Sequence, residues 1–173
     1  MLGLGRFYDI GTLVAPVDIS VAGITGKRIS MYDCHSIDIV LFFGAGTAGD
    51  DPVPSLQQHT AYTGGTSAAL PVIDTIYRKS EATLDNDEQW VKTTQTPAAI
   101  MTAVSGDAQN QKIYVINVKA QSLSDGFTHI SVNHVDPGAN AQLVAGLYLK
   151  IGLQHQRTPA LLPNLLRPGA VNV

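Results

Sequence analysis

Apolar and polar residues alternate with a period of two in several short segments, the first of which contains Val17, Ile19 and Val21. This period indicates a β-strand with one buried face. Similar segments lie around Leu56 and in AALPVIDTIYRK, EQWVKTTQT, KIYVINVKA, FTHISVNHV and LVAGLYLKIG. The segment SIDIVLFFG alternates at first and then becomes continuously apolar, which predicts a central strand covered on both faces.

Turn-forming residues separate these segments, as in TGGTS, LDNDE, QSLSDG and DPGANAQ. No segment has the apolar repeat of a helix of three turns or more, which the crossovers of a parallel sheet would need. β-Branched residues are abundant, whereas glutamate occurs only at Glu81 and Glu88. The sequence therefore predicts an all-β antiparallel β-sandwich of about eight strands, with jelly-roll and immunoglobulin-like strand orders both open.

The two ends of the chain differ from its middle. They are Gly- and Pro-rich and do not resemble strands, so we predict an N-terminal arm over 1–15, a β-sandwich domain over 16–154 and a C-terminal arm over 155–173. Apolar side chains on arms need a surface to cover them. We expect eight of them to be interface anchors, namely Leu2, Leu4, Phe7, Tyr8, Leu161, Leu162, Leu165 and Leu166. Packing of these side chains on their own domain is the alternative.

Charged residues make up 14% of the 173 residues, against roughly 25% in an average soluble domain. This deficit predicts that much of the surface faces something other than water. The net charge of −3 argues against a nucleic-acid partner. Apolar runs are far shorter than the ~20 residues of a membrane-spanning helix, so we expect no membrane partner. Arg6 and Asp9 interrupt any apolar export signal, which predicts that the chain stays in the cell that makes it.

The segment GAGTAG, residues 44–49, matches the glycine spacing of a dinucleotide-binding turn. In such a site a helix opens at the glycines and directs its amide groups at the phosphates. Here Asp50, Asp51 and Pro52 follow at once, and Pro54 comes two residues later. Two carboxylates would repel the phosphates, and the prolines would break the first helical turn. We interpret the segment as a loop between strands.

Asp85, Asp87 and Glu88 lie in the segment TLDNDEQW, which starts like a calcium-binding loop. The match ends there, because Trp90 stands where that loop needs glycine and Thr96 where it needs glutamate. We interpret this segment as a solvated turn between two strands.

The five histidines show no metal-ligand spacing. His129 and His134 lie on one predicted strand, which places them on opposite faces and roughly 16 Å apart. Cys34 is the only cysteine, so no disulfide forms within the chain, and we expect it to be a small buried apolar residue. An aromatic content of 6% argues against a sugar-stacking groove. The sequence therefore predicts no catalytic, cofactor-binding or metal site, and a chain that is not an enzyme.

Five segments resemble a family of tailed-bacteriophage virion proteins, the capsid decoration (cement) or minor capsid proteins. They are LGRFYDIGTLVAPVDIS, SLQQHTAYTGGTS, TLDNDEQWVKTTQT, DGFTHISVN and QRTPALLPNLLR, and together they cover 65 of the 173 residues. The resemblance implies a β-sandwich, often a jelly roll, that bridges and stabilises neighbouring major capsid subunits. It specifies no active site and no cofactor.

The resemblance also implies partners and a location. We expect the major capsid protein and further copies of the chain as partners, with a trimer favoured, and the capsid surface of a virion assembled in the host cytoplasm as its location. A phage tail, neck or head-completion protein is the alternative, and a virion enzyme or receptor-binding sugar module is a third. Decoration proteins are often trimers, whereas tube proteins form hexameric rings or polymers.

Overall fold

A computed structural model describes residues 3–5, 7–136, 138 and 140–154. These residues form eleven strands and one short 3₁₀ turn, Ala120–Ser122. The strands are β1 (Tyr8–Asp18), β2 (Ile24–Thr25), β3 (Ile29–Ser30), β4 (Ser36–Phe43), β5 (Ser55–His59), β6 (Ser67–Ala69), β7 (Ile73–Glu81), β8 (Val91–Ala98), β9 (Gln111–Lys119), β10 (His129–His134) and β11 (Leu143–Ile151). Within the described residues no helix is long and apolar enough to cross a bilayer.

The strands form two antiparallel sheets. The larger is six-stranded in the order β1-β11-β4-β9-β7-β8, and the smaller is five-stranded in the order β2-β10-β5-β6, with β3 also paired to β10. The inward side chains of both sheets form one apolar core, in which Ile39 and Phe43 of β4 belong to the same cluster as Leu56 of β5 and Val132 of β10. The predicted all-β antiparallel sandwich is confirmed.

The jelly-roll strand order stays a prediction. Consecutive segments of the chain pass between the two sheets, and the first and last strands, β1 and β11, pair side by side in the larger sheet. Interleaving of this kind favours Greek-key connections, of which a jelly roll has two. The β7–β8 hairpin extends the edge of the larger sheet beyond β9.

The core strands lie where the sequence predicts them. The segment SIDIVLFFG forms β4, a central strand between β11 and β9, and the three predicted strands in the second half form β9, β10 and β11. LDNDE lies in the loop between β7 and β8, as predicted. TGGTS lies in the loop before β6, as predicted, except that Ser67 is the first residue of β6. The sequence does not predict the short strands β2 and β3, since two residues are too few to show a period. The prediction of AALPVIDTIYRK as one strand is wrong, because its first residues belong to β6 of the smaller sheet and the rest begins β7 of the larger sheet at Ile73.

Two predictions at the N-terminal side are wrong. Residues 8–15, predicted as part of an arm, belong to β1 and pair with β11. The predicted strand around Val17 and Val21 ends at Asp18, and Val21 is exposed in the turn that follows. Bulges between Thr12 and Val17 hide the alternation of β1 in the sequence. The predicted arm over 155–173 lies outside the described residues.

A buried carboxylate fastens the larger sheet to the loop that precedes β9. Asp107 accepts two hydrogen bonds from Arg78 Nη1, at 2.8 and 2.9 Å, and one each from Ser80 Oγ and Tyr114 Oη, both at 2.8 Å. The fully buried Lys112 donates from Nζ to the carbonyl oxygen of Asp107 at 2.7 Å. Burial lowers the pKa of Lys112 to about 8. Because every partner is satisfied, the cluster holds β7, β9 and the loop together.

Candidate protein-interaction surface

The larger sheet turns a set of apolar side chains away from the core. In antiparallel strands, residues directly opposite each other lie on the same face. The pairs Leu147–Val40, Val40–Val115 and Val115–Tyr77 therefore form one row across four strands. A second row contains the pairs Ala145–Phe42 and Phe42–Ile113. We call these seven side chains the outer face: Val40, Phe42, Tyr77, Ile113, Val115, Ala145 and Leu147.

The outer face meets solvent in the described part of the chain. Phe42 and Leu147 are each 44% exposed and Tyr77 is 48% exposed. The prediction that β4 is covered on both faces is therefore wrong for the residues that the structure describes, because Phe42 and Val40 face outward with no layer over them. Contiguous apolar patches of this kind mark interaction sites on soluble proteins.

Polar groups and one further aromatic ring border the outer face. Asn117 Nδ2 donates to Asp38 Oδ1 at 2.6 Å on one side. On the other side Lys79, opposite Ile113, holds its ammonium 5.4 Å from the ring centre of Trp90. Trp90 is 52% exposed and lines an open depression with Tyr77 and Val115. An apolar centre with a polar rim is the usual composition of a protein–protein interface.

Three of the predicted interface anchors lie in the described residues. Leu4 is partly buried and bridges to Tyr8 in a tight turn, in which Phe7 N donates to Gly3 O at 2.8 Å. Phe7 and Tyr8 are 58% and 38% exposed. Tyr8 lies opposite Ile151, on the same side of the sheet as the outer face but at its edge. The other five anchors lie outside the described residues: Leu2, Leu161, Leu162, Leu165 and Leu166.

The outward side of the smaller sheet, unlike the outer face, carries polar residues that are buried. Its outward residues include His59, His129 and Ser131, which are 3%, 6% and 1% exposed. Tyr62, from the loop after β5, lies against His129 with ring centres 6.3 Å apart. Arg28 donates to the carbonyl oxygens of Ala61 and Gly64 in the same loop. The chain therefore covers this side with its own loops.

A chain of hydrogen bonds runs across the covered side. Arg28 Nη2 donates to Ser67 Oγ at 3.2 Å, which leaves the Ser67 hydroxyl to donate to His59 Nδ1 at 2.7 Å. His59 Nε2 then donates to Ser131 Oγ at 2.8 Å, and this hydroxyl donates to Asn133 Oδ1 at 3.5 Å. With Nδ1 accepting and Nε2 donating, His59 carries its proton on Nε2, and this tautomer is assigned from its hydrogen-bond partners.

Ser67 and His59 lie within the distance of a nucleophile and its base. Burial, followed by the charge of Arg28, lowers the pKa of His59 to about 4. Ser131 occupies the position in which a catalytic triad has a carboxylate, so among the described residues no carboxylate hydrogen-bonds His59 to stabilise an imidazolium. The arrangement thus serves to hold three strands and a loop together.

Other residues singled out in the sequence have structural roles. Residues 44–49 form a loop without a helix, as predicted. Cys34 is buried as predicted, and burial raises the pKa of its thiol to about 11. His129 and His134 lie on opposite faces of β10, as predicted, and His134 packs against Phe43 in the core.

No family model and no curated protein matches the chain. Among solved structures, it is similar to a chain in the structure of the infectious bursal disease virus Gt strain, with 8% identity, 95% of this chain covered and a TM-score of 0.22. It is also similar to a chain of the infectious bursal disease virus VP2 subviral particle, with 12% identity, 96% covered and a TM-score of 0.18. The chain spans 46% and 42% of the length of those two chains. At such TM-scores the likeness supports no conclusion about function.

Proposed function

We propose that this chain is a structural virion protein that decorates a phage capsid, and that its outer face packs on neighbouring major capsid subunits. The observation that carries the proposal is the outer face itself, an apolar surface assembled in register from four strands of the larger sheet. The resemblance of five segments to capsid decoration proteins supports the same role.

The apolar composition of the outer face suits the binding of many copies of the chain to one shell. Burying Phe42, Leu147 and Tyr77 would remove apolar area from water, at roughly 25 cal/mol for each Å². A subunit bound at several such contacts, or as a trimer, gains affinity by multivalency even where each contact is weak. The proposal needs no catalytic step, cofactor, nucleic acid or membrane.

The test is co-sedimentation of the purified chain with phage shells that lack it, beside isolated tails, with the bound copies counted. Saturable binding to shells at a copy number that matches a symmetry position supports decoration. Binding to tails or necks alone would overturn the proposal in favour of the tail, neck or head-completion alternative. Binding to neither would overturn both.

The predicted C-terminal arm offers a second test. All eleven described strands end by Ile151, so a chain without residues 155–173 is expected to keep its sandwich and its circular dichroism spectrum. If these residues are interface anchors, the shortened chain binds shells more weakly than the full chain. An unfolded shortened chain would show instead that residues 155–173 belong to the core.

A further inference from the structure

The loop between β7 and β8 gathers three carboxylates. One oxygen from each of Asp85, Asp87 and Glu88 lies within 4.8 Å of the other two. Asp85 and Asp87 are exposed, whereas Glu88 is only 8% exposed. Between the two aspartates, Asn86 has a left-handed backbone with φ of 80°, which turns the loop sharply. Exposed acidic residues often cluster without a ligand, so the cluster alone does not define a site.

Glu88 supplies an independent observation. Its Oε2 atom is buried and has no hydrogen-bond partner among the described residues. Its other oxygen lies 4.0 Å from Lys79 Nζ, beyond hydrogen-bond distance. A buried carboxylate oxygen without a partner is costly, and such groups in folded proteins are normally hydrogen-bonded or bound to a cation. The buried carboxylate lies against the two exposed aspartates, so one cation could contact all three.

The geometry suits calcium among the common cations. Calcium takes oxygen ligands at 2.3–2.6 Å, and oxygens that lie within 4.8 Å of one another leave room for one such ion between them. Three carboxylates and the ammonium of Lys79 sum to a charge of about −2, which a divalent ion neutralises. Magnesium is less suited, because it demands a stricter octahedron at about 2.0 Å and keeps several waters.

We propose that the β7–β8 loop is a calcium-binding site formed by Asp85, Asp87 and Glu88, with water completing the coordination. The sequence alone predicts a solvated turn, because the loop departs from the EF-hand calcium-binding pattern at Trp90 and Thr96. The site does not follow that pattern, since its third carboxylate comes from Glu88, next to Asp87, instead of from the twelfth position. The site offers few protein ligands, and two of them are exposed. We therefore expect it to bind calcium with a dissociation constant of about 10⁻⁴–10⁻³ M.

Trp90 makes the site directly measurable. It is the only tryptophan in the chain and lies two residues after Glu88, so a bound terbium ion would accept energy from its indole. We expect saturable terbium luminescence on tryptophan excitation of the full chain in metal-free buffer. Calcium should displace the terbium, and magnesium at the same concentration should displace it far less. Absence of sensitised luminescence, or equal displacement by the two ions, would overturn the proposal.

Matched variants separate the site from general surface charge. The double variant D85N/D87N is expected to lose at least nine-tenths of the luminescence. The double variant D74N/D125N removes the same charge from exposed positions outside the loop and should keep it. Luminescence that survives in the first variant, or disappears equally in both, would contradict the site.

A thermal measurement gives a readout that does not depend on terbium. Calcium at millimolar concentration is expected to raise the melting temperature of the unmodified chain, because it binds the folded state alone. The variant E88Q keeps the shape of the side chain and should lose this rise. A rise of equal size in E88Q would show that Glu88 is not a ligand and would overturn the proposal.

Discussion

The two sheets of the sandwich share one core and differ on their outward sides. The smaller sheet carries polar outward residues, such as His59 and Ser131, and its own loops bury them. The larger sheet carries apolar outward residues, such as Phe42 and Leu147, and the described chain leaves them nearly half exposed. Loops of the chain cover the polar side, whereas the described residues leave the apolar side open to solvent. This difference is the reason for assigning the interface to the larger sheet.

The largest expected effect concerns the contribution of the Asp107 cluster to the stability of the larger sheet. The variant D107N is expected to lose about 3 kcal/mol of unfolding free energy, because the partly buried charge of Arg78 loses its anion. Urea denaturation measures the change, with the exposed D125N as the control that should stay within about 0.5 kcal/mol. A small loss in D107N would mean that the sheet does not depend on this cluster.

The next effect separates binding from folding on the outer face. The double variant F42T/L147T is expected to bind shells about a hundredfold more weakly, since two side chains of the outer face lose their apolar area. Its unfolding free energy should fall by no more than about 2 kcal/mol, because both side chains are already nearly half exposed in the free protein. Co-sedimentation measures binding, and urea denaturation measures stability.

A control variant makes this result specific. Val21 and Val135 are 83% and 63% exposed and lie outside the outer face. The variant V21S/V135S strips the methyl groups from these two exposed positions and should bind shells as the unmodified chain does. Equal weakening in both double variants would indicate a general loss of surface hydrophobicity and would remove the distinction between the two sides.

The covered side should make stability depend on pH. The pKa of His59 is lowered to about 4, and burial also lowers the pKa values of His129 and His134. The unfolded chain, with histidine near 6.5, binds more protons between pH 6.5 and 4, so stability is complete above pH 6.5 and falls as the pH drops through this range. We expect His59 to account for a loss of about 2–3 kcal/mol. Urea midpoints across the range should show a shallower slope in H59Q.

The smallest effect concerns the loop that covers His59. In the variant R28M the apolar stem stays and the hydrogen bonds to Ala61, Gly64 and Ser67 are lost. We expect a loss of about 1 kcal/mol in unfolding free energy, because the freed carbonyl oxygens can reach water. The neighbouring exposed residue gives the control K27M, which should be unchanged. A larger loss would mean that Arg28 supports more than this loop.

The sequence predicts the core of this fold well because the pattern is local. The apolar run in SIDIVLFFG indicates a central strand, and β4 is central. The same run is also the one local indication of the outer face. Its continuous apolar residues predict a strand covered on both faces, but the described residues leave the outward face of β4 open to solvent. β1 was missed because Gly11 and Pro16 are poor strand formers and bulges interrupt its alternation.

The sites depend on register, which a single segment does not reveal. Leu147, Val40, Val115 and Tyr77 are scattered over the chain and become neighbours only when four strands align. His59, Ser67 and Ser131 are likewise joined by the pairing of β5 with β6 and β10. Glu88 could be placed beside the two aspartates from sequence, but its burial could not.

Hydroxyl-radical footprinting of the dilute free protein and of the shell-bound protein tests the central claim most directly. We expect Phe42, Tyr77 and Leu147 on the larger sheet to become protected in the bound state. Tyr62, which is 44% exposed on the side of the smaller sheet, should react equally in both states. Protection of Tyr62 with no change at Phe42 and Leu147 would contradict the proposed interface. The shell would then cover the smaller sheet, whose outward side the loops of the chain already cover.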